Sequence, residues 1–278
     1  MPEGDILRRA ARTLDQALTG RVLLEAELRW PTLAGAHLSG LTVLGTQSYG
    51  KHLLMRLEGD RTLHSHLRME GSWRMSRPGS AELSRQRRDP HVRALLVTEA
   101  WAAVGHRLGM LDLVPTREES SLIGHLGPDL LAEDFPASGL GEGLRRLAAQ
   151  GATPVAEALL DQRVVAGLGT IYVAESLHVR RIWPWTPCEE LEDPATLLMT
   201  GRRLMERSVA STTPTATGDE SRGRTSRVHG REGLPCRRCG TPIVVEQARQ
   251  PPVERPVFSC PTCQPGPHGS PARPRRKT

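Results

Sequence analysis

Two short stretches near the C-terminal end, Cys236-Arg-Arg-Cys239 and Cys260-Pro-Thr-Cys263, constrain this chain more than any other feature of its sequence. Each is a Cys-x-x-Cys knuckle, and about 20 residues separate the two. Thiolates at i and i+3 of a tight turn converge on one ion, and two such knuckles complete a tetrahedral set. A segment this short cannot enclose an apolar core, so a bound metal has to close it. The spacing predicts one structural Zn2+, because four protein ligands leave no open position for chemistry; a redox dithiol is the competing reading. Cys188, alone between Pro187 and Glu189, reads as an ordinary thiol. A disulfide framework fits poorly. The first thirty residues show no apolar secretory core, and no run reaches the roughly 18 apolar residues of a membrane span. The expectation is a cytoplasmic protein with no membrane partner.

The 278 residues suffice for two domains and a small appended module. From Glu3 to Thr19, apolar residues at Ile6, Leu7, Ala10, Leu14 and Leu18 recur with helical spacing, acids stand at Glu3 and Asp5, and Gly20 marks a stop. Between Arg21 and Pro115 come short alternating or β-branched runs at 22–28, 41–46, 52–57, 62–67, 72–75, 92–99 and 101–106. Gly, Pro and charged turns punctuate them, which predicts an antiparallel sandwich or barrel. Residues 124–136 read as a linker, and helical patterns follow at 141–149, 154–160, 171–179 and 195–209. The stretch 211–227 has almost no apolar content and reads as a mobile loop, and the Pro- and Arg-rich tail 264–278 as disordered. There is no internal repeat.

A net charge of +6 and a pI near 9.5 make a polyanion the first partner to consider. Four local features could serve one. Leu159–Leu177 holds an apolar helical stretch, a Gly-x-Gly turn at Gly167 and Gly169, and a second helix; free amides at a helix start suit phosphate, although close helix packing also wants small residues. Lys51 follows Gly50 at the entry to an apolar strand, where a solvated strand-end charge is the ordinary reading. Arg68, Met69 and Glu70 fall at a turn between strands, where an exposed methionine suits a wedge between bases and a buried one suits gap-filling. Arg255 lies between the knuckles, either as a solvated loop residue or as a functional one.

Taken in order, "MPEGD" (1–5), "GKHLL" (50–54), "HSHLRMEGSW" (64–73), "LGPDLL" (126–131), "LLDQRVVAGLGTIY" (159–172) and "VHGREGLPCRRCGTPI" with "RPVFSCPTCQ" (228–264) form a chain that resembles the formamidopyrimidine-DNA glycosylase and endonuclease VIII family of base-excision repair enzymes. It is most similar to the actinobacterial second endonuclease VIII group. The resemblance implies an α+β multidomain fold: an N-terminal catalytic β-sandwich with a leading helix (1–123), the linker (124–136), a helix–two-turn–helix DNA-binding domain (137–225), a zinc-finger β-hairpin (226–264) and the basic tail (265–278). It implies a monomer acting on damaged double-stranded DNA, associated with the nucleoid through that DNA.

The resemblance also assigns roles. Removal of Met1 leaves Pro2 with a secondary amine, and an α-amino group titrates near 7.7–8.0 against about 10.4 for lysine, so a neutral nucleophile exists at physiological pH. Pro2 is then the Schiff-base nucleophile, Glu3 the proton donor, Lys51 the residue assisting β-elimination and Arg255 the one assisting δ-elimination. Arg68, Met69 and Glu70 match the loop that fills the gap left by a flipped nucleotide, and His125, Gly169 and Thr170 match phosphate contacts. Thr170 stands where the family usually has asparagine, His125 where a close relative has arginine, and Tyr49 often has an arginine counterpart. The inter-knuckle loop is a few residues longer than usual. No counterpart of the formamidopyrimidine-glycosylase Arg/Phe loop stands at Gly105–Leu113, which favours oxidised pyrimidines such as thymine glycol. An oxidised-purine glycosylase and a non-catalytic damage-binding protein are the alternatives.

Overall fold

The computed structural model describes residues 2–250 and 252–267 in two compact units that divide between His125 and Leu126. Met1 and residues 268–278, most of the expected basic tail, lie outside the described residues. Among the described residues no helix is long and apolar enough to cross a membrane.

The first unit opens with α1 (Gly4–Leu18), whose Leu7, Leu14 and Leu18 are at most 1% exposed. Asp15 ties the end of this helix to the sheet below: its Oδ1 accepts from Thr19 Oγ1 at 2.7 Å and from the Thr46 amide at 2.8 Å. The strands are β1 (Glu25–Leu28), β2 (Val43–Tyr49), β3 (His52–Leu57), β4 (Arg61–His66), β5 (Ser72–Ser76), β6 (Val92–Val97), β7 (Ala102–His106) and β8 (Met110–Pro115). They form two four-stranded antiparallel sheets, ordered β2-β3-β4-β8 and β1-β6-β7-β5. Leu53, Leu57, Leu63 and Leu111 from one sheet meet Ala94, Leu96 and Ala103 from the other and the apolar face of α1 in one core. This is the expected sandwich with its leading helix. Two elements go beyond the sequence reading: β8, and the short helix α2 (Ala81–Arg87), whose start is capped by Ser80 Oγ accepting from the Leu83 amide at 3.1 Å. A last turn, α3 (Ser120–Ile123), closes the unit.

The second unit is helical: α4 (Leu140–Ala148), α5 (Val155–Leu159), α6 (Thr170–Arg180) and α7 (Pro194–Ala210), followed by a hairpin of β9 (Val244–Ala248) and β10 (Arg255–Ser259). The stretch 124–136, read from sequence as a linker, places Leu130, Leu131 and Phe135 in the same core as Tyr172, Leu177, Leu198 and Met205. The stretch 211–227, expected to be a mobile loop, is instead fastened down. Thr215 and Ala216 are 2% exposed, the Thr215 amide donates to Ser208 Oγ at 3.2 Å, and Thr217 Oγ1 donates to the Arg224 carbonyl at 2.7 Å. Hydroxyls here replace the apolar side chains the segment lacks, satisfying backbone groups that water would otherwise take.

Candidate active site

Glu3 is the N-cap residue of α1, with extended backbone (φ −111°, ψ −178°), and its carbonyl accepts from the amides of Ile6 (3.0 Å) and Leu7 (3.2 Å). Its carboxylate makes no capping hydrogen bond to its helix, yet the residue is only 1% exposed. Pro2, half-buried, precedes it. Burial of a carboxylate at the positive end of a helix is an arrangement for moving protons.

Lys51 is also buried, in the two-residue turn between β2 and β3, where Gly50 takes the left-handed conformation (φ +54°) that lets Tyr49 pair with His52. A layer of imidazoles lies beside this turn. Strand register sets His52 opposite His66 and His64 opposite Asp112. His64 Nδ1 lies 2.9 Å from Asp112 Oδ2, and His52 Nδ1 lies 2.8 Å from His64 Nε2. The rings of His52 and His64 stack at 5.0 Å, and His66 meets His52 edge-on at 5.0 Å. Burial, then the nearby His64, His66, His125 and Lys51, hold the His52 imidazole down to about 3. Burial, then His64, Lys51 and Arg68, hold His66 at about 4. Lys51 and the exposed His125 thus stand near His52, and Lys51 and Arg68 near His66, two imidazoles that burial keeps uncharged at neutral pH. Sequence reasoning missed His52, His64 and Asp112; the His-x-His alternation within one strand was the available signal.

The turn after β4 carries Arg68, Met69 and Glu70. Arg68 sits at φ +49°, and its amide donates to His66 Nδ1 at 2.9 Å. Met69 is 66% exposed, so it does not fill the core and is open to a partner. Glu70 pairs with Arg107, which lies 3.5 Å (Nη2) from His91 Nε2. A Cβ on Gly71 would stand 2.4 Å from the Leu67 carbonyl oxygen and 3.0 Å from that of Arg107, so only glycine fits this close crossing of two loops.

In the second unit, Gly169 caps α6 and Thr170 opens it, 9% exposed. Gln162 braces the preceding turn from both sides: its Nε2 donates to the Leu168 carbonyl at 2.9 Å and its Oε1 accepts from the Gly167 amide at 3.0 Å. Arg255 begins β10 opposite Ala248, half-buried, with Nη1 donating to the Glu254 carbonyl at 2.8 Å.

The four knuckle cysteines converge as their spacing requires. Cys236 and Cys263 sulfurs are 4.0 Å apart, Cys239 is 3.4 Å from both Cys260 and Cys263, and all four lie within 4.8 Å of one another. Zn–S bonds of about 2.3 Å in a tetrahedron put sulfurs about 3.8 Å apart, so the set fits a metal ion. The first knuckle is closed by Cys236 and Thr241 and by Gly240 donating to the Cys236 carbonyl, each at 2.8 Å. Cys188, by contrast, is buried away from this centre, and burial raises its thiol to about 11.

Comparison with known proteins agrees with this geometry. The formamidopyrimidine-DNA glycosylase N-terminal domain model matches residues 1–113, and the formamidopyrimidine-DNA glycosylase H2TH domain model matches residues 126–217. The chain is 43% identical, over 99% of its own length and 100% of the other's, to the "Probable endonuclease 8 2" of Streptomyces coelicolor. It is 38% identical, over 95% of its length and 99% of the other's, to the "DNA-(apurinic or apyrimidinic site) lyase Nei2" of Mycolicibacterium smegmatis. Among solved structures, Lactococcus lactis Fpg (MutM) in complex with an oxidised-pyrimidine-containing DNA is 25% identical with a TM-score of 0.78, over 95% of this chain and all of that one. With two family models over most of the chain and relatives 43% and 38% identical along nearly its whole length, the chain belongs to the formamidopyrimidine-DNA glycosylase and endonuclease VIII family.

Proposed function

We propose that this protein is a bifunctional DNA glycosylase and abasic-site lyase of base excision repair, acting on oxidised pyrimidines in duplex DNA. The observation that carries the reading is the buried carboxylate of Glu3 beside Pro2, in a chain 43% identical over nearly its full length to a probable endonuclease 8. Once Met1 is removed, the Pro2 nitrogen attacks the sugar C1′ and the base leaves with the electrons of the glycosidic bond. The resulting iminium is an electron sink that acidifies the C2′ proton, and loss of that proton expels the 3′ phosphate by β-elimination. Glu3 supplies and removes protons at the sugar. Lys51 assists β-elimination, and Arg255 assists a second, δ-elimination.

Met69 fills the space left by the flipped nucleotide, flanked by Arg68 and Glu70, while His125, Gly169 and Thr170 contact phosphates. The knuckle cysteines hold one structural Zn2+, and the protein works as a monomer on DNA in the cytoplasm. The domains carry these tasks as laid out in the sequence: catalysis in 1–123, DNA grip in 137–225, and the finger in 226–264.

Borohydride trapping on a thymine-glycol or abasic duplex tests this. A covalent adduct mapped to Pro2 is expected, lost in Pro2→Gly, and Glu3→Gln should impair base release more than cleavage of a preformed abasic site. Absence of any adduct with an N-terminus shown to begin at Pro2 would sink the reading. Parallel release assays on 8-oxoguanine decide the lesion class.

A further inference from the structure

We infer that the second unit carries a phosphate-binding pocket at the C-terminal end of α6, separate from the turn at Gly169 and Thr170. A cavity of about 350 Å3 lies there, lined by His178, Asp219, Arg224, Arg227, Arg237 and Arg238 among others. That volume is at the small end of sites that take low-molecular-weight ligands. Thr170 and His178 are eight residues apart on one helix, about 12 Å along its axis, so one phosphate cannot serve both places.

Three of the four arginines are anchored by one edge of the guanidinium. Arg227 Nη1 donates to the Ala216 carbonyl at 3.0 Å, Arg238 Nη1 to that of His178 at 3.2 Å, and Arg237 Nη2 to that of Gly223. Arg224 stands 3.7 Å from Asp219. A guanidinium has five N–H donors, so this anchoring orients the groups and leaves donors over. Asp219 in the lining and the buried Glu175, 3.6 Å behind Arg227, offset two of the four charges. Four like charges gathered with that surplus repel one another unless an anion completes the site, and planar forks of this kind match phosphate oxygens.

A second observation points the same way. His178 is 3% exposed and lines the cavity, its Nε2 faces the Cys236 sulfur at 3.6 Å, and its Nδ1 has no hydrogen-bond partner among the described residues. A buried ring nitrogen without a partner is rare in folded proteins, so this wall of the pocket carries an unmet polar group. The loop that brings Asp219 and Arg224 is held by the Ala216 amide on the Thr225 carbonyl at 2.8 Å and by Thr217 on Arg224, so the pocket is formed before any ligand arrives.

The ligand is a phosphate or diphosphate group, from either a free phosphate compound or a nucleic-acid backbone. Calorimetric titration of the zinc-loaded full chain with pyrophosphate, in phosphate- and sulfate-free buffer, should show one saturable site. R224Q/R237Q should weaken it at least tenfold while zinc content and circular dichroism stay unchanged. If that variant does not fold, pyrophosphate should slow phenylglyoxal modification of Arg224 and Arg237 in the wild type, read by mass spectrometry. No saturable heat up to about 10 mM pyrophosphate, unchanged affinity in a folded double variant, or unprotected arginines would overturn the inference. An undamaged duplex distinguishes the sources. Competition with pyrophosphate and weaker duplex binding by the variant mark a backbone phosphate, and duplex binding indifferent to both marks a free one. Neither result depends on borohydride trapping at Pro2.

Discussion

Replacing Glu175 by glutamine should unclamp the finger from the helical unit. Glu175 lies on α6 and is 0% exposed. Its Oε1 accepts from the amides of Arg227 (2.8 Å), Val228 (2.8 Å) and His229 (3.0 Å), and its Oε2 accepts from Arg227 at 2.9 Å. Three successive amides thus converge on one carboxylate just ahead of the first cysteine knuckle. Glutamine keeps one acceptor oxygen and turns an NH2 toward donors. It converts the three charged amide hydrogen bonds on Oε1 into neutral ones, at about 1 kcal/mol each, and turns its NH2 against Arg227 where Oε2 stood, at about 0–1 kcal/mol more. The expected loss is about 3–4 kcal/mol. With a urea slope of about 2 kcal/mol/M, the midpoint of the second unit falls by about 1.5–2 M, and amides 227–229 lose hydrogen-exchange protection. A midpoint within about 0.3 M of wild type would show that the carboxylate does not carry the clamp.

Three further outcomes follow from the same structure. His52 and His66 are held well below their ordinary 6.5, so between about pH 6.5 and 4 the unfolded chain takes up protons that the folded chain refuses; stability is full above about 6.5 and declines toward pH 4. Urea midpoints at pH 7.5, 6 and 5 should trace that decline, and His52→Gln/His66→Gln should flatten it. Chelation of the metal, or Cys260→Ala, should abolish exchange protection in β9 and β10 while α1 and the two sheets of the first unit keep theirs; metal analysis of the untreated protein should give one zinc per chain. Gly71→Ala forces a Cβ against two backbone carbonyls and should cost about 1–3 kcal/mol with weakened abasic-duplex binding, whereas Met69→Ala should weaken binding at unchanged stability. A Gly71→Ala protein as stable as wild type would contradict the close crossing of the two loops.

Much of the fold was legible because each element carried its own period. The helical pattern read over Glu3 to Thr19 gives α1 to within a residue at each end, and the period-two runs overlap β1 to β7. The cysteine spacing alone places four sulfurs together. α2 escaped because Leu83 is its only buried residue, so no apolar stripe marks it; Ser80 as N-cap, with Glu82 in the first turn, was a start signal that periodicity ignores. The order in 211–227 escaped for a related reason, since a segment held by threonine hydroxyls has the composition of a disordered one.

The candidate site was legible only where chemistry sits in one short stretch. Pro2 with Glu3, Gly50 with Lys51, and Arg68 to Glu70 are local, but the imidazole layer exists only once register is known. His52, His64 and Asp112 come from three strands, and shifting any one by a residue would turn its side chain to the other face. The register then sets the contacts: Asp112 Oδ2 lies 2.9 Å from His64 Nδ1, and His64 Nε2 lies 2.8 Å from His52 Nδ1, so one carboxylate and two imidazoles stand in a line. Burial first, and then the nearby His64, His66, His125 and Lys51, oppose protonation of His52 and hold it down to about 3. These two contacts run from a half-exposed carboxylate inward to the lysine turn. His52, which burial above all holds far below its ordinary 6.5, therefore stays neutral beside Lys51 at neutral pH, and Asp112→Asn removes the carboxylate charge while leaving every side chain of the turn intact.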